Sequence, residues 1–234
     1  MKRKHVILAA AAALLALGGV AVMAMSSARA APVVVELFQS QGCSSCPPAD
    51  AIANDLAGRN DVLVLSFAVT YWDQLGWRDT YARDAFTRRQ FAYAHGLGRS
   101  NVATPEMVIN GHIDLVGNYR PAVERAVQGA ARPMMLDANA EGVSIAAGGA
   151  PQGGADVWLV RYDPTLQHVA IQAGENNGRT LAHKNIVREL SLLGQWSGQA
   201  AHFTAPASPQ PGLRTAYLVQ GHEGGPILAA GVAP

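Results

Sequence analysis

Val33-Val34-Val35-Glu36-Leu37-Phe38-Gln39-Ser40-Gln41-Gly42-Cys43-Ser44-Ser45-Cys46-Pro47-Pro48-Ala49-Asp50 holds the only two cysteines of the 234-residue chain. Residues 33–38 form an apolar run broken only by Glu36, as a strand buried on both faces would read. Pro47 and Pro48 suit the first turn of a helix, where a missing N–H is tolerated, and residues 49–57 keep a helical pattern until Gly58 stops it. Cys43-Ser44-Ser45-Cys46 therefore falls where a strand turns into a helix. Unpaired N–H groups and the positive end of the helix dipole stabilise a thiolate at such a place. Cys43, ahead of the helix, is the expected exposed nucleophile. Cys46, in the first turn, is the expected shielded partner that resolves a mixed disulfide. Asp50 lies near the same end and opposes a low thiolate pKa.

Outward from this stretch, residues 62–69 form a second apolar strand, and strand–helix–strand in this order implies a parallel pair. Asp79 is placed to cap a helix reaching Leu97, with Ala82, Phe86 and Tyr93 at helical spacing. Residues 107–109 and 112–116 flank Asn110-Gly111, the dipeptide of a tight hairpin turn, and residues 121–130 read as a closing helix. Residues 31–131 are thus expected to be an α/β domain. Beyond Pro133, short strand candidates (134–138, 143–146, 156–162, 168–172, 180–189, 201–204 and 214–219) alternate with turns rich in Gly, Pro and Asn. Residues 132–234 are expected to form a separate small antiparallel β-sandwich.

Three chemistries suit a lone Cys-x-x-Cys pair. A structural disulfide closing so short a loop gains only about 2 kcal/mol. Zinc asks for four ligands, and no His pair stands nearby, which leaves two-coordinate Cu(I) as the metal alternative. The third is a redox dithiol, and the topology favours it. Parallel strands end at one edge, which places Cys43 and Tyr71-Trp72-Asp73 together. The hairpin strand is antiparallel and begins at that edge with Thr104-Pro105. Proline suits the first residue of a strand, and a cis bond there would turn the Thr104 backbone toward an extended substrate.

Residues 33–130 resemble a thioredoxin fold. More narrowly, VELFQSQGCSSCPPAD (35–50), SFAVTYWDQLGWRD (66–79), TPEMVING (104–111) and GENNGRTLAHKNIVREL (174–190) resemble the secreted bacterial thioredoxin-like family known as domain of unknown function 1223. The resemblance implies thiol–disulfide exchange through Cys43 and Cys46, with Pro105 as the cis-proline. Protein thiols or disulfides and a redox partner protein are the expected partners, and no cofactor is expected. Two departures from well-studied thioredoxins stand out: Ser-Ser replaces Gly-Pro between the cysteines, and no Trp precedes Cys43. Rival readings are a copper-handling chaperone using the same sulfurs and a non-catalytic binding module.

Further residues complete the expected site. Glu36, the lone charge in its strand, is a candidate proton acceptor for Cys46, or else has a structural partner or faces solvent. Thr104, Trp72 and Trp77 are candidate substrate contacts. Arg83, Arg88, Arg89 and Arg99 read as a solvated helix face. Residues 175–179 read as a hairpin loop, with His183 and Arg179 as alternatives that dock on the dithiol edge or supply a copper ligand.

The N-terminus combines basic Lys2, Arg3 and Lys4, an apolar run over 6–25 and a small-residue end, Ala28-Arg29-Ala30. That is the pattern of a cleaved signal peptide spanning 1–30, so export to the periplasm or medium is expected. If it is not cleaved, the same run is a membrane anchor. Cleavage would remove four of the basic residues and turn the formal charge of +1 slightly negative. Lys184 is then the only lysine, so no basic surface remains for nucleic acid.

Overall fold

The computed structural model describes residues 30–208 and 210–234, so all of the expected signal segment except Ala30 lies outside the described residues. β1 (Val33–Gln39) is buried at every position. Its alternate side chains serve two cores, as the two-residue period of a strand requires. Val34 and Phe38 pack on one face with Phe67, Phe86 and Tyr93. Val35 and Leu37 pack on the other with Ile52, Leu56, Val123 and Val127. The helices α1 (Pro47–Leu56) and α3 (Arg120–Gly129) therefore cover one face, and α2 (Asp84–Gly96) covers the opposite one.

β2 (Val62–Ala68) runs parallel to β1. β3 (Glu106–Ile109) pairs antiparallel on the other side of β1, followed by β4 (Ile113–Val116). The hairpin between them turns at Asn110 (φ 47°) and Gly111 (φ 72°). Two consecutive left-handed residues are what Asn-Gly is suited to supply. Asn110 also fixes the hairpin to the sheet: its Oδ1 accepts from Val34 N–H at 2.8 Å.

The C-terminal half contributes β5 (Met134–Met135), β6 (Asp137–Asn139), β7 (Gly142–Ile145), β8 (Ala155–Asp163), β9 (Gln167–Ala170) and β10 (Thr180–His183). After these come β11 (Ile186–Trp196), β12 (Ala201–Thr204), β13 (Arg214–Gly221) and β14 (Ile227–Val232). Five of them continue the same sheet, in the order β4-β3-β1-β2-β11-β8-β13-β14-β5. The remainder form a three-stranded sheet, β12-β7-β6, and a two-stranded one, β10-β9. Val143 and Ile145 of β7 pack against Val157, Leu159, Tyr217 and Val219 of the large sheet. The molecule is a mixed α/β protein with one large sheet and few helices.

Several expectations change. The boundary between 131 and 132 does not divide the sheet, because β11 docks on the open edge of β2 at Ile186 and Ser66. Asn185 secures this junction, donating from Nδ2 to Val64 C=O at 2.9 Å and accepting from Ser66 N–H at 3.0 Å. The strand expected over 180–189 is broken there, since Asn185 adopts φ 53°. β14 was not expected, because the Ala-Ala-Gly stretch between Ile227 and Val232 weakens its strand signal. The helix expected to begin after Asp79 starts at Asp84 instead. The Asp79 carboxylate is drawn inward by the N–H groups of Gln41 (2.7 Å) and Tyr81 (2.8 Å).

Candidate functional site

β1 and β2 end at the same edge of the sheet, and β3 starts there, with Glu106 opposite Phe38. Cys43 follows β1 by a tight turn in which its N–H donates to Ser40 C=O at 3.1 Å. Cys46 is the N-cap of α1, one position before the helix proper rather than inside its first turn. The two sulfurs are bonded, and both cysteines are 0% exposed. Cys43 is therefore not the open group expected from its place ahead of the helix.

The loop between β9 and β10 is bonded to the backbone around Cys43. Asn176, itself 0% exposed, donates from Nδ2 to the carbonyls of Gln41 and Cys43, each at 2.9 Å. Arg179 Nη1 donates to Asn176 Oδ1 at 2.8 Å and holds the amide in place. Glu175 accepts from Ser44 N–H at 3.1 Å, and Ser44 holds its carboxyl below the usual carboxylate range. Gly174 (φ +69°) lets the loop approach Trp77 closely, since a Cβ there would lie 3.1 Å from Trp77 Cβ. Residues 175–179 lie in the hairpin connection between β9 and β10, as expected, and Arg179 bonds to Asn176 of its own loop rather than to the cysteine loop itself. Glu175 and Asn176 themselves read as an ordinary hairpin loop, and only the run GENNG singled the segment out.

On the other flank, the Thr104–Pro105 peptide is cis. Ser45 Oγ stands 3.4 Å from Cys43 Sγ and donates to Thr104 C=O at 3.5 Å, which links the disulfide to this segment. Trp72 Nε1 donates to Thr104 Oγ1 at 2.7 Å, and Trp77 Nε1 donates to Gln41 Oε1 at 2.9 Å. Both indoles are half-buried and brace the cysteine loop. Cys43, Cys46, Thr104, Pro105, Trp72 and Trp77 thus come together at one edge.

Glu36 does not join them. It projects from β1 to the face opposite α1, where Arg89 clamps it through Nε and Nη2 at 2.6 and 2.7 Å and Tyr93 OH donates to it at 3.0 Å. It is a structural partner of a buried guanidinium and not a proton acceptor for Cys46. Arg89 correspondingly leaves the expected solvated face: it is buried, and its guanidinium stacks over the rings of Phe67, Tyr93 and Trp158. Arg99 pairs with Asp114 at the surface.

A second ionisable group lies on the α1 side. His183, 1% exposed at the end of β10, has Nδ1 3.3 Å from Asp50 Oδ1 in the first turn of α1. Burial pushes Asp50 above the usual carboxylate range, and His183 offsets this only in part. For His183, burial alone lowers the pKa, but Asp50 and then Asp79 outweigh it and leave it raised above the ordinary 6.5. Among the described residues, no three His, Cys, Asp or Glu side chains gather as a metal ion would need. No helix of the described residues is long and apolar enough to cross a membrane.

Fold and site together define a mixed α/β protein with a Cys-Ser-Ser-Cys disulfide at the head of its first helix. The family described as "Protein of unknown function (DUF1223)" matches over residues 34–220, and the chain belongs to that family. A crystal structure of a protein from Agrobacterium tumefaciens is similar, with a TM-score of 0.73 and 29% sequence identity. That likeness covers 88% of this chain and 95% of the other. HBP35 of Porphyromonas gingivalis is similar in fold alone, with a TM-score of 0.54 and 13% identity over 87% of this chain and 74% of the other. No curated protein matches the chain.

Proposed function

We propose that this chain is an exported thiol–disulfide oxidoreductase with a thioredoxin-like first half, exchanging disulfides with protein substrates through Cys43 and Cys46. The observation that carries the reading is the position of the Cys43–Cys46 bond. It lies between the end of a buried parallel strand and the head of α1, beside the Thr104–Pro105 segment. The order β1-α1-β2-α2-β3-β4-α3, with strands arranged 4-3-1-2, supports the thioredoxin-like assignment. Residues 1–30 support export.

When the protein oxidises a substrate dithiol, one substrate thiolate attacks Cys43 Sγ, a new S–S bond forms and the Cys43–Cys46 bond breaks with its electron pair on Cys46. The second substrate thiolate then attacks its own sulfur and releases Cys43 as a thiolate. In the opposite direction, the Cys43 thiolate attacks a substrate disulfide. The Cys46 thiolate then attacks Cys43 Sγ of the mixed disulfide, releasing the reduced substrate as its second thiolate. Because Cys43 is covered, a protein substrate gains entry only when residues 175–176 release the 41–44 backbone. The second half of the chain thereby governs access to the first.

The test uses the chain from residue 31 onward and a disulfide-bonded peptide. Cys43→Ser is expected to abolish exchange, and Cys46→Ser to accumulate mixed disulfides with clients. Activity in both variants equal to that of the parent would overturn the reading. A stoichiometric Cu(I) site on the reduced protein that withstands a strong chelator would favour the copper chaperone in its place.

A further inference from the structure

Asp50 and His183 form a buried ionisable pair that the fold does not require. Neither ring nitrogen of His183 nor Asp50 Oδ2 makes a hydrogen bond, and the single close approach is that of Nδ1 to Oδ1 at 3.3 Å. A buried ion pair of this kind carries a desolvation penalty of several kcal/mol per ion, and apolar residues of similar size would hold the same packing as well or better. The groups facing the pair come from every element around it. Asp79 approaches from the segment before α2, and the edge of the Tyr81 ring meets the imidazole at a centroid distance of 6.4 Å. Arg188 of β11 lies over Tyr81 at 4.9 Å, and Arg179 lines the same small cavity as Asp50. β10 is held against α1 by Asn54 Nδ2, which donates to Ala182 C=O at 2.9 Å, next to His183 in the chain.

The pair stands one helical turn from a reacting sulfur. Asp50 N–H donates to Cys46 C=O at 3.0 Å, so residues 46 and 50 are in helical register. Side chains four apart on a helix share a face, with Cβ atoms about 5–6 Å apart. A cavity of about 210 Å³, lined by Pro47, Asp50, Ala51, Asn54 and Arg179 among others but not by His183, reaches the pair from the Asp50 side and gives a route by which solvent can replace a proton lost there.

We infer that Asp50 and His183 are the proton store of the buried cysteine, yielding a proton to Cys46 when the disulfide is reduced and taking it back on oxidation. This rests on the exchange reading above. With a dithiol as reductant, its thiolate bonds to Cys43 Sγ and the Cys43–Cys46 bond breaks, leaving a thiolate on Cys46. That thiolate, buried one turn from the Asp50 carboxylate, takes the proton held by the pair. The second thiolate of the reductant then attacks its own sulfur in the mixed disulfide. Cys43 leaves as a thiolate and takes a proton from solvent, the reductant is oxidised to its cyclic disulfide, and solvent returns a proton to the pair. Two electrons pass from reductant to protein, and the two protons that the reductant's thiols release to solvent balance the two taken up by Cys46, through the pair, and by Cys43.

The experiment follows reduction of the chain from residue 31 onward by dithiothreitol from pH 5.5 to 9, with each rate divided by the fraction of dithiothreitol present as thiolate. In the parent, the corrected rate is expected to fall through an inflection above pH 6.5, as the pair loses its proton. Asp50→Asn and His183→Gln are each expected to remove the inflection and to lower the corrected rate at pH 7 by about tenfold or more, while Asp50→Glu restores part of both. Folded variants with the parent's rate and inflection would overturn the inference. If neither variant folds, the parent decides: a corrected rate independent of pH overturns it. An inflection with dithiothreitol in a chain that exchanges nothing with protein disulfides supports the proton store and overturns the protein-substrate reading instead.

Discussion

At the scale of single residues, Glu36 shows how little a side chain's identity says about its job. An acid seven residues before a Cys-x-x-Cys motif reads as a proton acceptor, yet the two-residue period of β1 turns it to the face opposite α1. There it meets Arg89, from fifty-three residues further along the chain, and the side chains of the pair are 0% and 4% exposed. Removing one partner leaves the other charged and desolvated. Arg89→Met alone is expected to destabilise the fold by about 3–5 kcal/mol. Replacing the network together, Glu36→Leu with Arg89→Met and Tyr93→Phe, is expected to recover most of that loss. Urea titrations of the two variants decide between this and an exposed pair, for which Arg89→Met would cost less than about 1 kcal/mol. The cysteines and Pro105 were legible because their chemistry is local, a thiol at a helix head and a ring without an N–H at a strand start. The partner of Glu36 was not, because nothing within a few residues encodes it.

Among the elements, those with a strong period were readable from composition alone: β1, α1, β2 and the Asn110-Gly111 hairpin all fall within a residue or two of expectation. The segment between β9 and β10 was readable as a loop but not as a cover. Its role depends on Asn176, whose amide satisfies the Gln41 carbonyl and adds a second donor to Cys43 C=O, which also accepts from Cys46 N–H at 3.2 Å. Asn176→Ala leaves the Gln41 carbonyl unpaired and is expected to lower stability by about 1–3 kcal/mol. It is also expected to speed reduction of the disulfide by bulky thiols, because the clamp on Cys43 is gone. Comparing reduction rates with a small dithiol and with a reduced protein tests this. Equal acceleration of neither would mean that residues 175–176 do not limit access.

For the molecule as a whole, the halves are held together by a common interior. Val34, Phe38, Leu65 and Phe67 of the first half share one core with Val160, Tyr162, Val187, Leu218 and Ala230 of the second. A truncated chain of residues 31–131 would expose that face and the open edge of β2, so it is expected not to fold cooperatively. The longer chain is expected to unfold in one transition, with near-ultraviolet circular dichroism and tryptophan fluorescence coinciding. Two separated transitions, or a folded 31–131 fragment, would restore the two-domain division. The sequence by itself determined the strands with continuous apolar runs, the helix that starts at Pro47, the hairpin and the place of the two thiols. These are decided by backbone preferences and periodicity within a dozen residues. Only the tertiary structure decided that β11 closes on β2, that Glu36 belongs to Arg89, that Asn176 covers Cys43 and that His183 meets Asp50. Each of these joins residues tens of positions apart or more, and burial of a shared core, rather than any local preference, selects the partner.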